Sequence, residues 1–287
     1  MNHASGVVIV DKESGVTSHQ VVGRLRRLLG TRKIGHAGTL DPMATGVLIL
    51  GVNRATRLLG HLALHDKRYL ATVRLGERSD TDDADGTVEP VAPAAGLSTA
   101  EVDAVLAPQR GDILQRPSSF SAIKVEGKRA YALARAGEAV ELKKRPVTIT
   151  RLDVLGARVE GDCLDVDLDV ECSSGTYVRA IARDLGEALG VGGHLTSLRR
   201  TRIGGYDIAD AVRLGDEPPA LLSMAEAARR SFPVVELTAE EAVDVGFGRR
   251  LSRTVPGTPT GVLDPAGNLL ALYEPSDAGA KPLAVLV

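Results

Sequence analysis

An alternation of apolar and acidic residues in the segment 164–172 limits the fold of this chain more than any other feature of its sequence. The segment reads LDVDLDVEC, with an apolar residue at each even position and an acid at each odd one. Successive side chains of a β-strand point to opposite faces, so the pattern predicts a strand with one buried face and one face in water. The segment 67–75 alternates in a similar way. Strands buried on one face are typical of antiparallel sheets.

Helices are expected between the strands, and several begin at recognisable caps. Thr17 or Ser18 precedes an amphipathic segment that Gly30 ends, and the pairs Ser98–Glu101 and Thr238–Glu241 match the capping-box pattern. Strands and helices follow one another without regular βα alternation. This order predicts an α+β fold with a mixed, mostly antiparallel sheet.

The domain organisation follows from length and from one break in the pattern. A chain of 287 residues favours one large domain plus a small one. Ser231-Phe232-Pro233 ends the helical pattern, and short predicted strands follow it. We therefore expect a large domain at 1–232 and a small, mostly β domain at 233–287. A Gly-, Ser- and Lys/Arg-rich stretch at 111–145 is expected to form a basic insertion, with a short helix at 127–136.

The composition predicts a protein of the reducing cytoplasm. The sequence contains no apolar run of the roughly 18–20 residues that a membrane span needs, and its first residues lack the pattern of a signal peptide. Cys163 and Cys172 lie in one predicted strand and form neither a Cys-x-x-Cys motif nor a disulfide framework. We therefore expect no membrane partner.

The charges of the chain are segregated, although its net charge at pH 7 is only −2. The segment 20–60 contains seven Lys and Arg residues and a single acid, Asp41; the segment 116–145 contains eight basic residues and three acids. Basic segments are often merely solvated surface. Two of them in one chain favour a polyanionic partner.

Asp41 lies in a glycine-rich segment, GHAGTLDPMATGVLIL at 35–50, that ends in a buried strand. One interpretation is that Asp41 only forms the turn before Pro42. The other is that the turn presents the carboxylate: glycines allow a ligand to approach closely, and the surrounding bases keep the carboxylate ionised, so it can act as a nucleophile or a base. His36, five residues upstream, is a second candidate of this loop.

Other common signatures of catalysis and binding are missing. The sequence contains neither a phosphate-binding Gly-x-x-x-x-Gly-Lys nor a Gly-x-Ser-x-Gly elbow, and the segment 246–251 lacks the third glycine of a dinucleotide turn. His61 and His65 have a spacing that suits a metal ion, but no third ligand accompanies them. The sequence therefore predicts no metal site.

Several motifs, in this order along the chain, resemble those of one family, the TruB family of tRNA pseudouridine synthases. The segment 35–42 with Ala44, Gly46 and Leu48 resembles its catalytic motif. Further matches are 11–18 (with Glu13 in place of a usual proline), 67–69, 75–86, 115–131 (with Ser118 in place of a common second proline), 174–179 and 198–200. The resemblance covers residues 6–230. The C-terminal part is similar to the family's small PUA-like RNA-binding domain.

The resemblance implies a fold, a reaction and a set of catalytic residues. The fold would be the pseudouridine synthase fold, and the reaction the isomerisation of uridine 55 in the T arm of tRNA to pseudouridine, without metal or other cofactor. Asp41 would be the essential carboxylate, attacking the ribose or the uracil or acting as a base. Arg179 would pair with Asp41 and keep it ionised. Tyr69 would stack on the uracil.

The target uridine lies inside a folded arm, so the resemblance also implies that the base is flipped out. His36 would then fill the vacated space or contact neighbouring bases, and Leu198 would line the uracil pocket. Phosphates would be held by basic residues, which include Lys12, Lys124, Lys143, Lys144 and Arg145. The expected partner is the T stem-loop of tRNA; we expect a monomer without an obligatory protein partner.

Two other functions are compatible with parts of this pattern. A non-catalytic RNA-binding protein, such as a tRNA-folding chaperone, would keep the fold and the basic segments without using Asp41. A carboxylate-dependent glycoside hydrolase would need a second carboxylate in a comparable loop, and the sequence offers none that is convincing.

Overall fold

A computed structural model of the chain describes residues 4–120, 124–125, 128–129 and 142–287. For 124–125 and 128–129 only the backbone is described. The helix predicted at 127–136 and the side chain of Lys124 therefore lie outside the described residues.

The described part of the chain contains strands and helices in irregular succession, as the sequence predicts. The strands are β1 Gly6–Lys12, β2 Ile34–Ala37, β3 Thr45–Val52, β4 Lys67–Leu75, β5 Glu77–Ser79, β6 Val88–Pro90, β7 Gly111–Gln115, β8 Lys124–Val125, β9 Lys128–Arg129, β10 Arg145–Glu160, β11 Cys163–Cys172, β12 Gly193–Ile203, β13 Tyr206–Asp207, β14 Val234–Glu236, β15 Thr260–Leu263, β16 Leu269–Ser276 and β17 Gly279–Val285. The α-helices are α1 Ser18–Leu29, α2 Leu59–Leu62, α3 Thr99–Leu106, α4 Val178–Leu189, α5 Met224–Ser231 and α6 Ala239–Gly246. None of the helices in the described ranges has the length and apolar character needed to cross a membrane.

The chain divides into two compact units that are each discontinuous in sequence. The first comprises Met1–Asp41, Gly46–His65 and Arg202–Val287, and the second comprises Pro42–Thr45 and Asp66–Thr201. This division differs from the boundary that the sequence suggests after residue 232, which stays a prediction.

In the first unit, a small antiparallel arrangement carries the segment around Asp41. Strand β3 pairs with β1 from Gly46 to Val52 and also with β2, where His36 lies opposite Leu50. Helix α1 begins after Thr17, one of the two predicted cap residues, and Thr17 and Gln20 form a capping box in which each side chain accepts from the other's backbone amide. The helix ends at Gly30 with φ 62°. The left-handed conformation at this position favours glycine.

The C-terminal part of the first unit forms a four-stranded sheet in the order β14-β15-β16-β17, in which only β14 and β15 run parallel. One side of the sheet has its own core around Tyr273 and Val245. Residues such as Leu263 and Leu272 belong instead to a core that also contains Val7 and Ile49 of β1 and β3. The predicted β domain is therefore present, but it shares apolar packing with the N-terminal strands.

In the second unit, five strands form a sheet in the order β12-β4-β11-β10-β7. The pairs β4–β11, β11–β10 and β10–β7 are antiparallel, and β4 and β11 align from Leu75 opposite Leu164 to Lys67 opposite Cys172. The two segments with the alternating pattern are thus neighbouring strands. The predicted α+β class with a mostly antiparallel sheet is confirmed.

The acidic face of β11 differs from the prediction. Asp165 and Asp169 are only 3% and 4% exposed, although the alternation predicted a face in water. Arg74 binds both carboxylate oxygens of Asp165, at 2.7 and 2.9 Å, and Arg68 binds both oxygens of Asp169, at 2.9 and 2.6 Å. The long arginine side chains of the adjacent strand cover these carboxylates, so the prediction is wrong for Asp165 and Asp169.

Candidate active site

In the first unit, helix α1 braces the residue that precedes Asp41. The Ser18 hydroxyl donates to the Leu40 carbonyl at 3.1 Å and accepts from the Leu40 amide at 2.9 Å. The side chain of Leu40 is buried, and Gly38 has φ 81°, which glycine adopts without strain. The bracing fixes where the chain leaves β2, so that the half-buried Asp41 follows a defined backbone.

The loop continues in the second unit, because Pro42–Thr45 group with it. Two distant side chains hold this short segment. The Met43 amide donates to Asp85 Oδ2 at 3.2 Å, and Arg199 Nη1 donates to the Thr45 hydroxyl at 3.3 Å. The segment Pro42–Thr45 therefore has two bonded anchors within the second unit.

Arg179 is the second residue of α4 and is only 5% exposed. Its Nη1 lies 3.4 Å from Asp83 Oδ2 and donates to the Thr81 carbonyl at 2.9 Å. The guanidinium also donates to the Ser118 hydroxyl at 3.3 Å and to the Phe120 carbonyl at 2.8 Å. Such contacts hold the planar group in one orientation and keep it away from solvent. Its predicted pairing with Asp41 stays a prediction.

Asp83 is the buried acid of this cluster, with 3% exposure. Its Oδ1 accepts from the Thr81 hydroxyl at 2.6 Å and from the Asp85 amide at 3.1 Å. The sequence marked this acidic segment only as part of a resembling motif and gave none of its residues a role. The sequence did contain a feature that could have drawn attention to this segment, a cluster of aspartates followed by Gly86. The structure shows why a glycine is needed there: an added Cβ would lie 2.2 Å from Asp80 Oδ1.

The start of α4 is fixed from another direction by Gln115, the last residue of β7. Its side-chain amide donates to the Tyr177 carbonyl at 3.1 Å, while its carbonyl oxygen accepts from the Tyr177 amide at 2.9 Å. These two hydrogen bonds to the backbone of one residue resemble the pairing of two β-strands. It sets the position from which Arg179 extends.

Tyr69 and Leu198 lie on two neighbouring strands of the second unit, β4 and β12, and both are buried. Tyr69 is opposite Val170 of β11. Two residues before Tyr69, burial and the nearby Arg200 lower the pKa of Lys67 to about 8. A role of Tyr69 or Leu198 with uracil stays a prediction, as does the contact predicted for the half-buried His36 of β2.

The predicted phosphate contacts fall into two groups. Lys143, Lys144 and Arg145 are exposed where the chain enters β10, so phosphates can reach them. Lys12 is only 1% exposed, and its ammonium donates to the carbonyls of Glu13 at 2.9 Å and Val16 at 2.7 Å. These bonds shape the turn before α1. The phosphate role of Lys12 stays a prediction.

The two histidines with a metal-compatible spacing pack on an aromatic ring instead. The ring of His65 lies 5.5 Å from that of Phe232, and the ring of His61 lies 6.5 Å from it in an edge-on arrangement. Within the described ranges, no group of three or more His, Cys, Asp or Glu side chains is arranged to hold a metal ion.

Comparison with known proteins identifies the family. The family model described as TruB family pseudouridylate synthase (N terminal domain) matches residues 26–178. The chain belongs to the TruB family. Two further models of this family match, one described as tRNA pseudouridylate synthase B C-terminal domain over 179–231 and one as tRNA pseudouridine synthase II, C terminal, over 232–287. Membership makes the chain an enzyme, a pseudouridine synthase.

Relatives match over nearly the whole chain. A protein of Cutibacterium acnes named tRNA pseudouridine synthase B is 57% identical over 290 residues, which cover 99% of this chain and 98% of the relative. A protein of Rhodococcus jostii with the same name is 53% identical over 287 residues, which cover 99% of this chain and 93% of the relative. The predicted family is thereby confirmed.

Two solved structures share the fold. One, described as a Cbf5–Nop10–Gar1 complex, gives a TM-score of 0.73 at 25% identity and covers 98% of this chain and 85% of that one. The other, an H/ACA ribonucleoprotein bound to a substrate RNA containing 2′-deoxyuridine, gives 0.72 at 23% identity with the same coverage. The predicted pseudouridine synthase fold is confirmed.

Proposed function

We propose that the chain isomerises uridine 55 in the T arm of tRNA to pseudouridine, with Asp41 as the essential carboxylate. The observation that carries the proposal is the similarity of the whole chain to proteins named tRNA pseudouridine synthase B, at 57% and 53% identity. The bracing of Leu40 by Ser18 supports the role of Asp41, because a reacting carboxylate has to be held in place.

The proposed reaction breaks one bond at C1′ of the ribose and forms another in its place. The bond between N1 of uracil and C1′ breaks, the uracil turns, and C5 bonds to C1′. The C5 proton is then lost and N1 gains a proton, so the product is an isomer of the substrate. Nothing is oxidised or reduced, and the reaction needs neither a metal ion nor another cofactor. Asp41 attacks the ribose or the uracil, or it acts as the base.

Arg179 is proposed to pair with Asp41 and keep the carboxylate ionised. Its orientation by Asp83, Thr81, Ser118 and Phe120 supports this role, because a guanidinium held in one plane can bind a carboxylate without further loss of side-chain entropy. Tyr69 is proposed to stack on the uracil once it has left the arm.

Access to the uridine requires base flipping, because the target is enclosed in the folded T arm. We propose that His36 fills the vacated space and that Leu198 lines the uracil pocket. Phosphates of the arm would contact Lys143, Lys144 and Arg145, whose exposure supports this role, and Lys124 of the basic insertion. With only eight Phe, Tyr and Trp residues, the chain would recognise RNA mainly by shape and phosphates.

We place the protein in the cytoplasm as a monomer without an obligatory protein partner. Both cysteines, Cys163 and Cys172, are free thiols, and burial raises the pKa of Cys172 to about 11. A buried thiol with this pKa is chemically inert, which suits a reducing compartment.

The proposal is tested by tritium release from a tRNA transcript labelled with [5-³H]uridine, because the C5 hydrogen is lost only when C5 bonds to C1′. Wild type should release tritium, and Asp41→Asn, which keeps the shape of the side chain but removes its charge, should lose the activity. Full activity of Asp41→Asn would contradict the role of Asp41. Binding of tRNA by wild type without any release would favour the tRNA-folding chaperone.

A further inference from the structure

The loop that carries Asp41 is tied to the acidic segment after β5 by a hydrogen bond to its backbone. The Met43 amide, two residues after Asp41, donates to Asp85 Oδ2 at 3.2 Å. A hydrogen bond from a backbone amide to a charged acceptor is stronger than one to a neutral acceptor, so it restricts the conformations of a short loop. Asp85 is itself exposed, so its carboxylate has no part in the apolar core.

Asp85 is in turn placed by the cluster around Arg179. The Asp85 amide donates to Asp83 Oδ1 at 3.1 Å, and Asp83 Oδ2 lies 3.4 Å from Arg179 Nη1. The Thr81 hydroxyl, at 2.6 Å from Asp83 Oδ1, fixes the same carboxylate. A continuous set of polar contacts therefore runs from Arg179 through Asp83 and Asp85 to the backbone of Met43.

We propose that Asp85 is a positioning residue for the isomerisation: its carboxylate oxygen, acting as a hydrogen-bond acceptor, fixes the backbone after Asp41 and so aims the Asp41 carboxylate. The inference rests on the proposed function. A displacement of about 1 Å in a reacting group can lower a rate about 100-fold, and a loop without this bond samples such displacements.

The acidic segment supplies a matched control. Asp80 is an aspartate of the same segment, but its Oδ1 accepts from the Thr87 amide at 2.8 Å and so braces its own loop. Asp80→Ala therefore reports what a loosened acidic segment does to the reaction. Asp85→Asn keeps an oxygen that can accept the Met43 amide and removes only the charge.

The experiment combines single-turnover tritium release, tRNA binding and hydrogen exchange of the Met43 amide. It compares wild type with Asp85→Ala, Asp85→Asn and Asp80→Ala. Asp85→Ala should react about 10- to 100-fold more slowly, while its tRNA dissociation constant stays within about twofold of wild type. Its Met43 amide should exchange faster. Asp85→Asn should recover most of the rate and of the protection, and Asp80→Ala should leave the Met43 amide protected.

Three results would overturn the inference. An Asp85→Asn rate as low as that of Asp85→Ala would mean that the charge acts and not the acceptor. An Asp80→Ala rate as low as that of Asp85→Ala would point to general loosening of the segment. Unchanged exchange of the Met43 amide in Asp85→Ala would show that the bond does not restrain the loop. The exchange result needs no activity, so it is distinguishable from a wild type that fails to release tritium.

Discussion

Replacing Asp169 by asparagine should destabilise the chain because it removes the buried end of an ion pair between two strands. Arg68 donates two hydrogen bonds to this carboxylate from β4, at 2.9 and 2.6 Å, and Arg151 donates a third from β10 at 3.4 Å. Asparagine keeps the shape of the side chain, but it keeps only one acceptor oxygen and no charge.

The size of the effect follows from the exposure of the partners. Removing one partner of a fully buried ion pair costs about 3–5 kcal/mol. The side chains of Arg68 and Arg151 are 41% and 47% exposed, so water can replace part of what they lose. We therefore expect Asp169→Asn to lower the free energy of unfolding by about 2 kcal/mol.

Urea denaturation of wild type and variants measures this difference, and the chain offers a close control. Asp153 also faces Arg151, at 3.6 Å, but its side chain is 56% exposed. Asp153→Asn should cost less than about 0.5 kcal/mol because the pair is on the surface. Equal effects of the two substitutions would refute the assignment of Asp169 as the buried end of an ion pair.

The difference in the free energy of unfolding between wild type and Asp169→Asn should become smaller at low pH. Hydrogen bonding to Arg68 lowers the pKa of Asp169 below its ordinary value. A carboxylate with a lowered pKa stabilises the fold above its unfolded pKa of about 3.9, and this contribution is lost as the pH falls through the folded pKa. The difference between wild type and Asp169→Asn should therefore stay constant from about pH 8 to pH 5 and shrink below about pH 4. A loss between pH 8 and pH 6 would contradict this cause.

Two further predictions concern packing and RNA binding. Gly186→Ala should lower the free energy of unfolding in urea by about 3 kcal/mol, because the added Cβ would lie 2.1 Å from the backbone nitrogen of Gly193. Gly23→Ala in α1 should instead raise it by about 0.5–1 kcal/mol, because the added Cβ would meet no atom within 4 Å beyond its chain neighbours and the backbone of its own helix. Changing the three basic residues 143–145 to glutamate should weaken tRNA binding and make its dependence on salt less steep, as measured by filter binding at several salt concentrations; unchanged binding would exclude the proposed phosphate contacts.

Local patterns were sufficient to predict some of the strands and some of the helix caps. The period of two at 67–75 and 164–172 predicted β4 and β11. A cap at Thr17 or Ser18, together with Gly30, predicted both ends of α1. Such features depend on residues close together in the sequence. The burial of Asp165 and Asp169 could not be predicted in this way, since it depends on which strand lies beside β11 and in which register.

The same distinction applies to the candidate site. The glycine-rich segment and the resemblance to the TruB motifs brought out Asp41, and the resemblance alone brought out Tyr69 and Arg179. Neither gave contacts for them. Arg179 is bonded to residues about 60 and 98 positions away, Ser118 and Thr81. Sequence spacing carries no information on such contacts, because they are set by how the strands between these residues assemble.

Tritium release from two labelled transcripts is the most direct test of the proposed uridine-55 reaction. One transcript is a complete tRNA with uridine at position 55, and the other differs only by cytidine at that position. We expect release of one tritium per molecule from the first transcript and none from the second. Equal release from both transcripts, or none from either, would contradict it.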